Sequence, residues 1–311
     1  MEAFNEARGR VTIKPMATDL STPVLTYNPH TESSALKLPP LSCDSHVHVF
    51  GPAERFPYAA TRAFTPVDAP KEALFALHRT LGVQRCVIVQ SIVHGLDNRA
   101  VEDAVAAGGG RYLGVALVPV NVADAELARL AGAGMRGVRF NFMRHLAGST
   151  DVEGIIALTH RLKPLGMHLQ VHFESALVNM LAAPLSRSAV PVVMDHIGRV
   201  DAMLGADHAD FAALFKLLQN PLFRVKVSGI DRIDSQPAPK PDYAHGITLA
   251  RLLVQSYPHQ CLWGTDWPHP NHTHIPSDAA LVNALAKIAP TKALMASLLV
   301  DNPADFYRFA P

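Results

Sequence analysis

The sequence lacks the features of a membrane protein or a disulfide-bonded one. No stretch approaches the roughly 18 consecutive apolar residues of a membrane span, and Met1 to Lys14 mix Glu, Arg and Lys without the apolar region of a signal peptide. Cysteine is scarce. Cys43, Cys86 and Cys261 are odd in number and lie in apolar runs, which predicts reduced thiols in the core. Together these absences predict a cytoplasmic protein.

An excess of charge of one sign is lacking too. The 28 Lys and Arg residues nearly balance the 27 Asp and Glu residues, and no basic stripe or acidic tail is long enough to indicate a nucleic-acid or membrane partner. The chain has 311 residues, of which 49% are hydrophobic, enough for one large domain. We therefore expect a small-molecule partner, and a monomer or homodimer.

The chain divides into an arm and a folded domain. Residues 1–40 carry scattered Pro, Thr, Ser and Asn without a sustained period, so we interpret them as an N-terminal arm that wraps the body or stays mobile. In residues 41–311, short apolar runs alternate with amphipathic stretches, as in parallel strands joined by crossover helices. The predicted strands are 42–49, 85–90, 112–117, 137–141, 168–173, 191–196, 224–228 and 261–265. The predicted helices are 71–81, 98–107, 123–133, 152–165, 176–187, 209–218, 243–257 and 278–288.

This alternation predicts the fold class. Eight strand–helix units match the size and the strand count of an α/β protein with a closed (β/α)8 TIM barrel. An open doubly wound sheet is the alternative, and it is less favoured because no Gly-x-Gly-x-x-Gly follows the first strand. We therefore predict a single barrel domain for residues 41–311.

Polar residues at the ends of the predicted strands identify a candidate active site, because the carboxyl ends of barrel strands meet at one mouth. His46 and His48 end the first strand, and they point the same way because strand side chains alternate. His172, His196 and Asp266 lie at the ends of three later strands. Imidazoles and a carboxylate can hold a divalent ion that lowers the pKa of a bound water to about 7.

A second group of residues is cationic. Arg139 ends the fourth strand, Arg144 lies in the loop after it, and Arg232 follows the seventh strand. Because guanidinium groups bind planar anions through paired hydrogen bonds, the three arginines indicate a substrate with two acidic groups. Finer substrate contacts are expected from Ser91, His94, Ser228 and Asn271.

Several segments resemble the 2-pyrone-4,6-dicarboxylate lactonases, a group within the amidohydrolase superfamily. They occur in order along residues 41–311, and the longest is Trp-Gly-Thr-Asp-Trp-Pro-His-Pro-Asn at 263–271. The others are 43–52, 55–58, 87–91, 137–142, 195–199 and 301–303. The resemblance implies a (β/α)8 barrel and a lactonase of bacterial aromatic-compound breakdown. It also implies that Asp266 is the general base on water, that His46, His48 and His196 line the carbonyl, and that Arg139, Arg144 and Arg232 hold the acidic groups.

One position departs from this group. His172 stands where these lactonases, which work without a metal, usually carry Tyr. With His172 the chain is similar to the 4-sulfomuconolactone hydrolases, zinc-containing relatives that act on a sulfonated butenolide. We therefore predict that His46, His48, His172 and Asp266 bind one Zn²⁺ or Mn²⁺, that His196 assists Asp266 in catalysis, and that the substrate is a dianionic unsaturated lactone.

Other functions remain open from the sequence. The substrate can be either 4-sulfomuconolactone, which we favour, or 2-pyrone-4,6-dicarboxylate. In a metal-free mechanism Asp266 alone would activate water. A metal-dependent decarboxylase is a third possibility, and a non-catalytic binding protein a fourth, although the latter has no need for His46, His48 and Asp266 together.

Overall fold

The fold consists of eight parallel strands that alternate with helices. A computed structural model describes residues 20–142, 151–235, 242–271 and 274–310. The strands are β1 Cys43–Val47, β2 Arg85–Val89, β3 Tyr112–Ala116, β4 Met135–Phe142, β5 His168–Phe173, β6 Val192–Met194, β7 Phe223–Lys226 and β8 Cys261–Leu262. The α-helices are α1 Lys71–Leu81, α2 Arg99–Ala107, α3 Asp124–Gly132, α4 Val152–Leu162, α5 Val178–Leu185, α6 Ala209–Leu217, α7 Ile230–Ile233, α8 Ala244–Ser256, α9 Asp278–Ile288, α10 Lys292–Ala296 and α11 Asn302–Tyr307.

The strands form a barrel, which confirms the predicted fold. They pair in sequence order from β1 to β8, and every neighbouring pair is parallel. Backbone hydrogen bonds then join β1 to the chain around β8. The amide of Ser45 donates to the carbonyl of Trp263 at 2.8 Å, and the amide of Asp266 donates to the carbonyl of His46 at 2.8 Å. Barrel closure therefore places the segment after β8 directly beside the histidines of β1.

Local sequence signals explain where several elements begin and end. Helix α1 ends at Gly82, whose φ of 81° is a left-handed conformation that favours glycine. Helix α9 begins after Ser277, whose side chain accepts a hydrogen bond from the amide of Ala280. The predicted bounds of α1, α9 and β5 agree with the structure at both ends.

Strands β6 and β8 are shorter than predicted. After β6 the chain leaves the sheet, and His196, Ile197 and Arg199 all adopt positive φ. Asp266 does the same after β8, with a φ of 66°. Non-glycine residues in this conformation are uncommon and concentrate at functional sites. The pattern of apolar residues did not reveal these turns, because both segments are buried and their composition is that of a strand.

The barrel interior changes from apolar to polar along its length. The part farther from the mouth holds a cluster of buried apolar residues, among them Cys43, Val87, Leu113 and Leu262, and Tyr307 packs against this cluster. The part nearer the carboxyl ends of the strands holds buried polar side chains instead, namely Arg139, Gln170, Asp195 and Lys226. The three cysteines are buried free thiols, as predicted.

Residues 20–40, the described part of the segment predicted to be an N-terminal arm, contact the barrel mouth. Tyr27 packs edge-on against Trp267 with ring centroids 5.1 Å apart, and its hydroxyl donates to the carbonyl of Asp68. Further along, the amide of Leu36 donates to the side chain of Asn283 on helix α9. Among the described residues, no helix combines the length and the apolar character needed to cross a bilayer.

Candidate active site

A small cavity of about 130 Å³ lies at the carboxyl ends of the strands. It is smaller than the roughly 300–1,000 Å³ clefts that drug-sized ligands occupy, which suits a compact substrate. Eight of the residues predicted for the site line it, namely His48, Ser91, Arg139, His172, His196, Arg232, Asp266 and Asn271. His46 is fully buried beside Asp266. Arg144 lies outside the described residues.

The loop after β8 presents Asp266 to the cavity. The amide of Asp266 is bonded to β1, and its carbonyl accepts a hydrogen bond of 2.7 Å from the amide of His269. The preceding residue, Thr265, donates its hydroxyl to Asp44 Oδ2 at 2.6 Å. Asp44 also lies on β1, and beyond Asp266 the amide of His48 donates to the carbonyl of Trp267 at 2.6 Å, so the chain of β1 and the loop are joined on both sides of Asp266. These hydrogen bonds hold Asp266 in its left-handed backbone conformation and so fix the position of its carboxylate.

Three histidines converge on one oxygen of Asp266. The Oδ1 atom lies 3.4 Å from His48 Nε2, 3.6 Å from His46 Nε2 and 3.7 Å from His196 Nε2. The other oxygen, Oδ2, accepts hydrogen bonds from Arg232 Nη2 at 2.5 Å and Nε at 3.2 Å. Arg232 thus fixes Oδ2, and Oδ1 is the oxygen that faces the imidazoles.

In two of these histidines the other ring nitrogen, Nδ1, also has a hydrogen-bond partner. His48 Nδ1 lies 2.7 Å from the carbonyl of Val89, which can only accept a hydrogen bond, so the ring proton is on Nδ1. His196 Nδ1 lies 2.9 Å from the hydroxyl of Ser228, a residue also predicted to contribute to the site. Burial lowers the pKa of His196 well below its usual value, which keeps this ring neutral.

His172 lies at the end of β5, as predicted, and its ring borders the cavity. Its Nδ1 is 3.2 Å from Asn141 Oδ1, while its buried Nε2 has no hydrogen-bond partner among the described residues. Burial, reinforced by Arg139, lowers the pKa of His172 well below its usual value. His172 therefore presents a neutral ring with an unpartnered nitrogen.

The donor set fits a divalent metal ion. Ligand atoms of His46, His196 and Asp266 lie within 4.8 Å of one another, and this group does not include His48 or His172. Around an ion with bonds of about 2.1 Å, tetrahedral ligands are about 3.4 Å apart, close to the separations at Asp266 Oδ1. In a neutral His48 ring the proton lies on Nδ1, so Nε2 is an acceptor, and it faces the same carboxylate oxygen at 3.4 Å. Two acceptors facing each other at this distance favour a cation between them.

A buried polar layer lies directly beneath the cavity and is centred on Asp195. Its Oδ2 accepts from Arg139 Nε at 2.8 Å, and its Oδ1 accepts from Gln170 Nε2 at 2.8 Å. Lys226 Nζ lies 3.8 Å from Oδ1. Burial alone would raise the pKa of Asp195, but His46, Arg139 and Lys226 together hold it well below its usual value. Asp195 is therefore an anion that balances the cations around it.

The arginines have roles that the sequence did not predict. Both Arg139 and Arg232 line the cavity, yet each also forms an ion pair with a buried carboxylate, Asp195 or Asp266. A further residue, Arg199, also lines the cavity. Burial and the nearby charge of Arg232 lower the pKa of Arg199 to about 10, so it stays charged at neutral pH. Its place just after β6, in Asp-His-Ile-Gly-Arg, was the available signal.

Two predicted contact residues differ in their surroundings. His94 does not line the cavity: its Nε2 accepts from the amide of Gly51 at 3.1 Å, and its Nδ1 lies 3.1 Å from the carbonyl of Pro57. Both ring nitrogens thus hold the loop after β1. Asn271 borders the cavity from an exposed position with a φ of 59°.

Comparison with known proteins agrees with this architecture. Residues 43–309 match the model of the amidohydrolase family. The chain is 42% identical over 279 residues to a 2-pyrone-4,6-dicarboxylate hydrolase of Comamonas testosteroni, covering 87% of this chain and 91% of the relative. It is 35% identical over 295 residues to a 4-sulfomuconolactone hydrolase of Hydrogenophaga intermedia, covering 94% and 96%.

A solved structure from Pseudomonas putida, proposed to be a 2-pyrone-4,6-dicarboxylic acid hydrolase, superposes with a TM-score of 0.77. It is 30% identical to this chain, of which it covers 88%, and its own chain is covered completely. The match of the family model spans most of the chain, including every strand of the barrel. The chain therefore belongs to the amidohydrolase family.

Proposed function

We propose that this protein is a lactone hydrolase that opens a small unsaturated lactone carrying two anionic groups. The observation that carries the proposal is the position of Asp266: one carboxylate oxygen faces three imidazoles in a small cavity bordered by three arginines. A general base, groups that can polarise a carbonyl and cations for an acidic substrate thus meet in one place. The relatives named as lactone hydrolases support the same reaction.

The charges around the cavity favour an anionic substrate. Arg139, Arg199 and Arg232 border it, and the carboxylates of Asp195 and Asp266 offset two of these charges. Arg199 is a third cation at the cavity, and the carboxylates of Asp266, Glu174 and Asp231 act on its charge. Each guanidinium has five N–H donors, so Arg139 and Arg232 can hold a substrate carboxylate or sulfonate in addition to their aspartates.

The proposed mechanism begins with water bound beside Asp266. Oδ1 of Asp266 takes a proton from this water as the oxygen adds to the lactone carbonyl carbon. Nearby imidazoles stabilise the negative charge that develops on the carbonyl oxygen. The bond between the carbonyl carbon and the ring oxygen then breaks, and the ring oxygen leaves as an enol after receiving the proton from Asp266. Unsaturation makes this leaving group better than an ordinary alkoxide.

We further propose that His46, His196 and Asp266, with His48 and His172 beside them, can hold one Zn²⁺ or Mn²⁺ ion. When bound, such an ion lowers the pKa of water to about 7 and polarises the carbonyl. Without it, Asp266 remains the base and the neutral imidazoles remain the polarising groups. Asp266 is therefore the proposed base in both cases.

Two substrates are the leading candidates, each for a specific reason. His172, with its unpartnered Nε2 at the cavity, adds a further nitrogen ligand and favours 4-sulfomuconolactone, as the sequence predicts. The higher identity to the Comamonas testosteroni enzyme favours 2-pyrone-4,6-dicarboxylate. Both are compact dianions, which is the class of ligand that the cavity suits.

The test is a side-by-side assay of purified protein with both lactones. The Asp266→Asn variant should lose about 10²- to 10⁴-fold in kcat/KM on whichever lactone is opened, because the general base is removed. Asp124→Asn, which alters an exposed ion pair with Arg161, is the matched control and should retain full activity.

Metal content is measured on the same samples, before and after chelation. Undiminished turnover with no bound metal would refute the metal proposal and leave Asp266 as the base. Release of CO₂ in place of hydrolytic proton release would identify a decarboxylase instead. Undiminished turnover by Asp266→Asn would refute the catalytic assignment altogether.

A further inference from the structure

Lys226 is a buried cation that the mechanism above does not use. It is the last residue of β7, and its side chain is fully buried inside the barrel. Lysine is almost never buried completely unless it is paired. Burial lowers the pKa of Lys226 to about 8, while the charge of Asp195 opposes the shift. An ammonium group at this depth needs a defined set of acceptors.

The acceptors of Lys226 include an active-site histidine. Its Nζ donates to Gln170 Oε1 at 2.9 Å and lies 3.2 Å from His46 Nδ1 in hydrogen-bonding geometry. An ammonium group has only donors. If it bonds to Nδ1, this nitrogen must be the acceptor, and the proton of a neutral His46 ring must lie on Nε2.

Asp195 is the competitor for the same nitrogen. Its Oδ1 lies 3.3 Å from His46 Nδ1 and could accept a proton from it, which would move the lone pair to Nε2. The contact of Lys226 with the same nitrogen is slightly shorter, at 3.2 Å, and lies in hydrogen-bonding geometry. Asp195 Oδ1 is also already engaged by Gln170 Nε2 at 2.8 Å. The geometry therefore favours Lys226.

We propose that Lys226 is a positioning residue that fixes the tautomer of His46: it donates to Nδ1, so that the proton of the ring lies on Nε2 and faces Asp266 Oδ1. This inference goes beyond the proposed function, although its catalytic meaning rests on Asp266 being the base. His48 has the opposite arrangement, with the proton on Nδ1 towards Val89. The two histidines of the His-x-His motif thus present different groups to one carboxylate.

The consequence concerns metal binding. A protonated Nε2 cannot be a metal ligand, so His46 can join a metal site only if its proton moves to Nδ1 and the bond from Lys226 is given up. Lys226 therefore opposes coordination by His46 and favours the metal-free arrangement, in which Nε2–H supports the carboxylate of Asp266. Removing the ammonium should let Asp195 accept from Nδ1, the arrangement typical of metal-binding histidines.

The experiment is a long-range ¹H–¹⁵N correlation spectrum of the ¹⁵N-histidine-labelled full chain at neutral pH with a chelator present. The signals of His46 are assigned by their loss in His46→Gln. We expect the wild-type ring to carry its proton on Nε2, and the ring in Lys226→Met to carry it on Nδ1. Zinc affinity, measured by chelator competition, should tighten by about tenfold in Lys226→Met, the scale typical of changes next to a metal ligand.

The matched control is Arg224→Met. Arg224 lies on the same strand two residues earlier, and its guanidinium lies over the ring of Phe306 at 4.5 Å, away from His46. We expect neither the tautomer nor the zinc affinity to change in this variant. Lys226→Arg keeps a donor-only cation and should keep the wild-type tautomer.

The wild-type spectrum alone can overturn the proposal. A proton on Nδ1 of His46 in the metal-free wild-type chain would do so, whether or not Lys226→Met folds. An unchanged tautomer in a folded Lys226→Met protein would also overturn it. None of these readouts uses a substrate, so failure of the lactonase proposal and failure of this one are distinguishable.

Discussion

Asp195 provides the sharpest test of the electrostatic balance beneath the site. It is a buried carboxylate that contacts Arg139 Nε at 2.8 Å and lies 3.8 Å from Lys226 Nζ. Asp195→Asn keeps the size of the side chain but removes its charge, so two buried cations lose their counter-ion. Breaking a buried ion pair in this way typically costs about 3–5 kcal/mol. At about 2 °C per kcal/mol for a chain of this size, the melting temperature should fall by about 6–10 °C.

The assay is thermal unfolding followed by circular dichroism at neutral pH. The control is Glu153→Gln, which breaks an exposed ion pair with Arg187 and should change the melting temperature by no more than about 2 °C, since surface ion pairs contribute about 0–1 kcal/mol. Adding Arg139→Met to Asp195→Asn should recover stability, because it removes a charge that is no longer balanced. A loss of less than about 2 °C in Asp195→Asn would show that the carboxylate does not balance these cations.

Two further predictions concern binding and pH. Arg199→Met should raise the KM for a dianionic lactone by about 10- to 100-fold, the effect of losing a charge-assisted hydrogen bond, with kcat little changed; a KM within twofold of wild type in steady-state kinetics would contradict this role. Burial lowers the pKa of His168 to about 3 in the folded chain, below the usual 6.5 of an unfolded chain, so its stabilising effect is complete above pH 6.5 and is lost as pH falls towards 3. The free energy of unfolding of wild type should therefore fall between pH 6 and 4 by up to about 1.4 kcal/mol per pH unit more than that of His168→Leu. Urea titrations at several pH values measure this, and an equal pH dependence of the unfolding free energy in the two proteins would contradict the prediction.

The sequence predicted the barrel well because its signals were periodic. Apolar runs and amphipathic stretches alternated eight times, and the bounds of α1, β5 and α9 agree with the structure. The mouth was predictable for a related reason. Polar residues at strand ends must share one rim in a parallel barrel, and His48, His172, His196 and Asp266 do line one cavity.

The partners of these residues could not be predicted in the same way. Periodicity gives the face of a strand to which a side chain points, but not its depth or the residue that it meets across the barrel. Lys226 lay in a segment that was predicted only as a strand, and nothing in its neighbourhood in sequence indicated a contact with His46, 180 positions away. His94 was predicted to contact the substrate because it follows β2, but both of its ring nitrogens contact the loop after β1 instead.

The cationic residues show why counting charges at a mouth is not enough. The arginines at strand ends suggested a clamp for two acidic groups, but burying Asp195 and Asp266 itself requires cations within reach. Arg139 and Arg232 supply these cations through their ion pairs with Asp195 and Asp266. A dianionic substrate must therefore be held partly by guanidinium groups that also position the carboxylates. It follows that replacing Arg232 should impair the action of Asp266 as well as substrate binding, so that kcat and KM change together, whereas replacing Arg199 should change KM alone.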